Sequence, residues 1–285
     1  MRYLLHTAAA AALFAGTAAS AAPANVSALQ GTVTYKNSAA TGPQYYSPFA
    51  RVTSKVVYDS ATGTYTLRDT GNPALTSTFG PANISGSDAA FTYYSKSSGS
   101  TVETFRLLNK GPGNPSIALT YVQYGQWRRA TTTSGVTSTN DTYVVFGTKT
   151  PASAVPHSGS ATYSTVLDGT YVNKNGVYEV DGAGSLTANF GGGTIGYSAT
   201  LTGTREGGGT NIAFGTLTGT GSIAYASSGF RGTGVTNGSG YKLDVNGNFY
   251  GPAYQEIGGI FHLTGNQSSV GGTGNGVGAL VGIRP

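Results

Sequence analysis

The chain has 285 residues, only 9% of which are charged, and it carries a mild formal net charge of +5. The Lys and Arg residues are dispersed and no aromatic RNA signature accompanies them, which argues against nucleic-acid binding. The absence of cysteine excludes disulfides, thiolate nucleophiles and Cys-containing zinc sites.

Residues Met1 to Ala21 have the pattern of a secretory signal. Arg2 precedes an Ala-rich apolar run, and Ala19-Ser20-Ala21 supplies small residues for cleavage before Ala22. The run is shorter than the roughly 20 residues that a membrane-spanning helix needs. We therefore expect an exported protein whose signal, residues 1–21, is removed. Without a cysteine no lipid is attached at the mature N-terminus, so we expect the protein to be secreted or held at the outer surface by other means.

The rest of the composition predicts an all-β protein. The 19 Tyr and 11 Phe, with frequent Val and Ile, alternate with Thr, Ser and Gly, which suits pleated strands with one buried face. The 45 Gly, with many Asn and Asp, supply turns at short intervals. No stretch beyond the signal has a convincing 3.6-residue apolar period.

The first half, residues 22–150, is predicted to be a β-rich domain. Asp59 to Gly63 has hairpin-turn chemistry between two candidate strands. The predicted strands are Gly31–Tyr35, Ala50–Tyr58, Thr64–Arg68, Phe91–Lys96, Val102–Leu107, Leu119–Trp127 and Tyr143–Gly147.

A connector at residues 151–158 is the predicted domain boundary, because Pro151 and Pro156 with small residues between them favour an extended segment. Residues 159–285 then predict a meander of short strands, whose number is consistent with a closed barrel of about eight strands filled by its own side chains. Its predicted strands include Ser185–Phe190, the return through Ile195 to Leu201, Asn211–Thr218, Ser222–Tyr225, Gly229–Thr233, Tyr241–Tyr250, Ile257–Thr264 and Val277–Ile283.

One motif near the end of the chain is more specific than glycine richness. An aromatic pair precedes Gly-Pro, a carboxylate stands four residues after the proline, and Gly-Gly and a Phe follow. The residues are Phe249, Tyr250, Gly251, Pro252, Glu256, Gly258, Gly259 and Phe261. This order resembles the signature hairpin of the β-barrel domain of bacterial transferrin-binding protein B and its relatives, including secreted haem-scavenging hemophilins. The resemblance implies an N-terminal handle domain followed by an eight-stranded antiparallel barrel.

The role of Glu256 follows from its position after the Gly251-Pro252 corner. We expect a capping carboxylate that accepts backbone N–H groups around that corner. A catalytic acid is the alternative, but no second carboxylate or histidine stands nearby in a shared motif. The resemblance also implies no enzyme activity at this hairpin.

Two groups of aromatic and cationic residues are candidate contact patches, because Trp, Tyr and Arg are enriched at binding hot spots. Trp127 and Arg128 form the first, with a core tryptophan and solvated arginines as the structural alternative. The second lies in a loop-like segment, where the alternative is packing in the handle's own core. Its members are Tyr45, Tyr46, Phe49 and Arg51.

Few residues are available for metal or haem ligation. Beyond the signal the only histidines are His157 and His262, and their context has no metal-ligand spacing. No nucleophile elbow or phosphate loop is present. We therefore predict a non-enzyme with no metal site. Haem remains a possible cofactor, with these histidines or tyrosines such as Tyr45 and Tyr46 as axial ligands.

The resemblance implies capture of an iron or haem source, either an extracellular carrier protein or a small ligand. We expect a monomer that works with an outer-membrane export or receptor partner. Two alternatives stay open at this point, an outer-membrane β-barrel and a surface structural or adhesive protein. Thr, Ser and Gly interrupt nearly every candidate lipid-facing strand face, which disfavours the first of them.

Overall fold

The computed structural model describes residues 24–38, 42–45, 50–68, 75–236, 240–265 and 274–285. At residues 24, 25, 27, 38, 42–45, 50–55 and 236 it describes the backbone alone. The predicted signal therefore lies outside the described residues, as do Tyr46 and Phe49.

The first half forms one ten-stranded antiparallel sheet, the N-terminal sheet. Nine strands follow the order β5-β4-β3-β1-β10-β9-β8-β7-β6, and β2 pairs with β1 off this path. The strands are β1 Ala24–Ser38, β2 Gly42–Tyr45, β3 Ala50–Asp59, β4 Thr64–Arg68, β5 Thr76–Phe79, β6 Ile84–Ser87, β7 Phe91–Ser98, β8 Thr101–Leu108, β9 Val122–Thr133 and β10 Val136–Gly147.

The second half is a closed antiparallel barrel in which β11 to β18 pair in chain order and β18 returns to β11. The all-β fold with an eight-stranded barrel is thereby confirmed. The strands are β11 Ser160–Asn173, β12 Gly176–Asn189, β13 Thr194–Arg205, β14 Ile212–Ala224, β15 Gly229–Thr236, β16 Lys242–Tyr250, β17 Glu256–Thr264 and β18 Asn275–Ile283.

One predicted division of the barrel is wrong. The strands expected at Asn211–Thr218 and Ser222–Tyr225 are a single strand, β14, that continues through Gly219 and Gly221. Both glycines are enclosed, because a Cβ at Gly219 would lie 2.4 Å from the Tyr197 ring and one at Gly221 would lie 1.8 Å from the Arg231 carbonyl oxygen. These glycines mark close packing within a strand and not a turn.

Helix is confined to three short 3₁₀ segments in the described part of the chain, at Pro81–Asn83, Ala152–Ala154 and Tyr225–Ser227. Across that same part, no helix has the length and apolar character to cross a bilayer.

The barrel interior is filled by large side chains. Phe214, Phe230, Phe249 and Phe261 are each at most 1% exposed. The ring centroids of Phe249 and Phe230 lie 5.5 Å apart. The Phe261 ring packs against Gly278, where an added Cβ would lie only 2.4 Å from the ring. The interior thus has the close packing expected of a small closed barrel.

The N-terminal sheet has a buried apolar cluster on each of its two faces. On one face, Phe79, Tyr94, Phe105 and Trp127 form an aromatic cluster, with Phe79 and Phe105 ring centroids 5.5 Å apart. The other face packs on the outside of the barrel in a shared apolar cluster. Its members include Val122, Tyr124, Tyr143 and Val145 from the sheet and Tyr250, Ile260, Val277, Ala279 and Val281 from the barrel.

The segment between the halves is held by hydrogen bonds. The Thr150 amide donates to the Phe249 carbonyl at 2.9 Å, and the Thr150 hydroxyl donates to the Gly251 carbonyl at 2.6 Å. Farther along, Val155 is buried in the barrel core. The connector is therefore anchored on the barrel and is not a free spacer.

Limited proteolysis tests how far the halves depend on one another. We expect cleavage only at the exposed residues 151–153 and 157–159, and the two fragments should co-elute under native conditions because they share an apolar cluster. Size-exclusion chromatography after cleavage measures this. Separation of the fragments with each keeping its β-sheet circular dichroism would mean that the shared cluster contributes little.

Candidate functional site

The signature hairpin lies where the two halves meet, and Glu256 is its central polar residue. Its side chain is 2% exposed. Its carboxylate accepts the backbone N–H groups of Thr120, Tyr121 and Val122 at 2.7, 2.8 and 2.9 Å. Glu256 therefore accepts backbone hydrogen bonds, but from the N-terminal half and not from the Gly-Pro corner as expected. It attaches the start of β9 to the barrel.

The glycines of the hairpin are explained by the same junction. Gly251 has φ +84°, and a Cβ there would lie 2.7 Å from the Tyr121 ring. A Cβ on Gly258 would lie 2.7 Å from Val122 and 2.8 Å from Val145. Both positions therefore require glycine so that the N-terminal sheet can approach the barrel closely.

A buried carboxylate on β11 forms a second polar contact across the junction. Arg106 Nη2 lies 2.6 and 2.7 Å from the two Asp168 oxygens, and the Tyr124 hydroxyl donates to Asp168 at 2.7 Å. Burial raises the pKa of Asp168, and the Arg106 charge and the Tyr124 hydrogen bond oppose that rise. Burial also raises the pKa of Tyr124, so this phenol stays a hydrogen-bond donor.

Arg128, a candidate contact residue, belongs to a third junction contact. Its Nη2 lies 2.7 Å from fully buried Asp141 and 2.6 Å from Glu206 in the turn after β13. Asp141 also accepts the Thr170 hydroxyl of β11 at 2.8 Å. The expected solvated arginine is thus wrong for this residue. Arg128 joins the sheet to the barrel.

Trp127 faces the opposite way from Arg128, in the aromatic cluster of the N-terminal sheet. It is 4% exposed, and its strand partners are Phe105 and Thr142. The two neighbours therefore lie on opposite faces of β9 and do not form one patch. Within the described part of the chain, the indole Nε1 has no hydrogen-bond partner.

The second candidate patch is described only in part. Tyr45 pairs with Tyr35 across β2 and β1, and Arg51 pairs with Gly31 across β3 and β1. The backbone of β2 lies close to β11 and β12 of the barrel. Tyr46 and Phe49 lie outside the described residues, so this patch stays a prediction.

The two histidines do not fit a shared haem site within one chain. His262 of β17 and Thr170 of β11 both pair with Val277 of β18, so the two residues lie at the same height in the barrel. His157 precedes Ser160, where β11 begins. Along β11, Ser160 and Thr170 are ten residues apart, which is a distance on the order of 30 Å at about 3.3 Å per residue. Ligation of one iron by both side chains is therefore excluded by the fold.

Within the described ranges, no group of three or more His, Asp or Glu side chains converges as a metal site. Three buried carboxylates, those of Glu256, Asp168 and Asp141, instead bind polar groups across the junction. Asp141 and Asp168 were missed from the sequence as functional residues. In the sequence, the alternation of polar and apolar residues along β9 was the signal for the face of the N-terminal sheet that packs on the barrel.

The two sheets, a closed barrel and an open sheet packed on its outside, define the class of fold. No family model and no curated protein matches the chain. Solved structures do. Transferrin binding protein B of serogroup B Neisseria meningitidis is 17% identical, with 90% of this chain covered, 43% of that chain and a TM-score of 0.47.

Two further structures are similar. A double mutant of transferrin binding protein B from Haemophilus parasuis Hp5 is 18% identical, covering 89% of this chain and 44% of that one, with a TM-score of 0.46. The N-lobe domain of lactoferrin binding protein B from Moraxella bovis is 14% identical, covering 90% and 99%, with a TM-score of 0.40. This chain spans less than half the length of the two transferrin binding proteins.

Proposed function

We propose that the protein is an exported, non-enzymatic binding protein that captures an extracellular iron- or haem-carrying protein through its N-terminal half. The observation that carries this proposal is the anchoring of that half on a solidly packed barrel. A filled barrel has no room for a ligand, so recognition falls on the sheet and loops that it supports.

The junction suits this role because it makes a rigid platform. Glu256, Asp168 and Asp141 each bind groups of the other half while buried or nearly so. Buried, paired contacts of this kind hold two units in one orientation. Rigid presentation lowers the entropy cost of binding a partner, which supports a binding function.

The outward face of the barrel favours the exported binder over an outer-membrane barrel. Exposed hydroxyls pair across strands at Thr162 and Thr187, 3.0 Å apart, and at Thr200 and Thr216, 2.8 Å apart. A lipid-facing surface needs a continuous apolar band. Other outward residues, such as Ile260 and Val281, are covered by the N-terminal sheet.

A capture assay tests the proposal with Tyr45 and Tyr46 as the probes. The immobilised protein should retain one of iron-loaded transferrin, iron-loaded lactoferrin or haemoglobin. Changing both tyrosines to Ser should weaken capture by at least about 2 kcal/mol with an unchanged melting temperature, because aromatic residues dominate dry interfaces. The exposed Val235, changed to Ser, is the matched control and should leave capture unaltered.

Two results would contradict this assignment. If the immobilised protein retains none of the three carriers, the proposed function is wrong. Self-assembly of the purified protein would then favour the structural or adhesive alternative. A loss of roughly 3 kcal/mol of stability per ring on changing Tyr45 and Tyr46 would show that they are core residues and not contacts.

A further inference from the structure

Two cavities lie on the aromatic side of the N-terminal sheet, and both are lined by Arg129. The smaller has room for about one oxygen-sized group, and it is lined by Leu75, Trp127, Arg129, Asn140 and Thr142. The larger is an open groove of about 320 Å³, lined by Thr76, Lys96, Ser97, Ser98, Thr101, Glu103 and Arg129.

Three of the five residues that line the smaller cavity, Trp127, Arg129 and Asn140, carry N–H donors. Trp127 is 4% exposed, yet its Nε1–H has no acceptor among the residues that the structure describes. Leaving such a buried donor unpaired is energetically unfavourable. The Asn140 carbonyl oxygen already accepts the Thr34 hydroxyl at 2.8 Å, so its amide N–H groups are the polar atoms that remain. An oxygen acceptor in this cavity would satisfy the indole.

The charges around the groove favour an anion. Lys96, Glu103 and Arg129 are consecutive partners across β7, β8 and β9. Glu103 lies 3.4 Å from Lys96 Nζ and 3.5 Å from Arg129 Nε, so one carboxylate faces two cations. The contact uses Nε of Arg129. The two terminal Nη groups also carry N–H donors, and a pair of guanidinium N–H groups can bind a carboxylate in a fork.

We propose that the two cavities together bind a small hydroxylated carboxylate, a sugar acid in chemical class. One carboxylate oxygen enters the smaller cavity and accepts from Trp127 Nε1, with Arg129 and Asn140 as further donors. The hydroxylated body lies in the groove, where Ser97, Ser98 and Glu103 offer donors and acceptors. This site is independent of the carrier-protein surface proposed above.

Fluorescence tests this site directly, because Trp127 is the only tryptophan in the chain. Titration with glucuronate should give a saturable change in emission, and neutral methyl glucoside should give none. Arg129→Gln should weaken glucuronate binding at least tenfold. The matched control Arg231→Gln changes an exposed arginine on the barrel and should leave the affinity unchanged.

Asn140→Asp provides a second variant, in which a carboxylate replaces the amide donor, and it should weaken glucuronate binding at least tenfold as well. The proposal is overturned by any of three results. These are no saturable response to glucuronate, equal responses to glucuronate and methyl glucoside, or equal affinity for inorganic phosphate, which would define a general anion site. Each is separable from the capture assay, which uses carrier proteins and different residues.

Discussion

Replacing Glu256 by alanine is expected to lower the free energy of unfolding by about 4 kcal/mol, because three backbone donors lose their shared acceptor at a buried junction. Those donors are the amides of Thr120, Tyr121 and Val122. Chemical denaturation monitored by circular dichroism measures the effect. Glu256→Gln keeps one acceptor oxygen, so it should lower the free energy of unfolding by about half as much as Glu256→Ala.

The matched control for this change is Glu179→Ala, which removes an exposed carboxylate from β12 of the same barrel. Its stability should stay within about 0.5 kcal/mol of the parent. If Glu256→Ala were as mild as this control, water would be replacing the carboxylate, and the junction would not depend on Glu256.

The second large effect is expected at Asp141. Asp141→Ala should cost about 3 kcal/mol, since it leaves the half-buried Arg128 without its fully buried partner and Thr170 without its acceptor. Arg128 keeps Glu206 at 2.6 Å, which limits the loss. Thermal and denaturant unfolding both measure it.

A double-mutant cycle isolates the ion pair from the other contacts of Asp141. Arg128→Met combined with Asp141→Leu should cost less than the sum of the two single changes, because removing both partners leaves no unpaired charge at the junction. Strict additivity would mean that Arg128 and Asp141 are not coupled, and that solvent screens the pair.

Much of the architecture was predictable from local patterns. Alternating apolar residues in Tyr241–Tyr250 and Ile257–Thr264 place one face of each strand in a core, whatever the partner strand is. The all-β fold follows from such repeats, whereas the eight-stranded barrel was implied by the resemblance of the hairpin around Gly251 and Pro252. The strand expected at Leu119–Trp127 begins instead at Val122, because the amides of residues 120–122 are bound by Glu256.

The candidate site was predictable only in part. The alternation along β9 separates Trp127 from Arg128, but a period of two sorts side chains onto two faces without indicating what covers each face. Arg106 and Asp168, which pair across the junction, are 62 residues apart. No local pattern joins residues at that separation.

The sequence by itself determined the all-β class, most of the strands and the alternation of side chains between the two faces of each strand, because these depend on neighbours within a few residues. Only the tertiary structure decided the partners of Glu256, which lie 134–136 residues away, and the pairing of Arg128 with Asp141 and Glu206. Those contacts exist because two sheets pack face to face. The pairing of charges across such a junction is set by the relative position of the sheets and not by any stretch of chain.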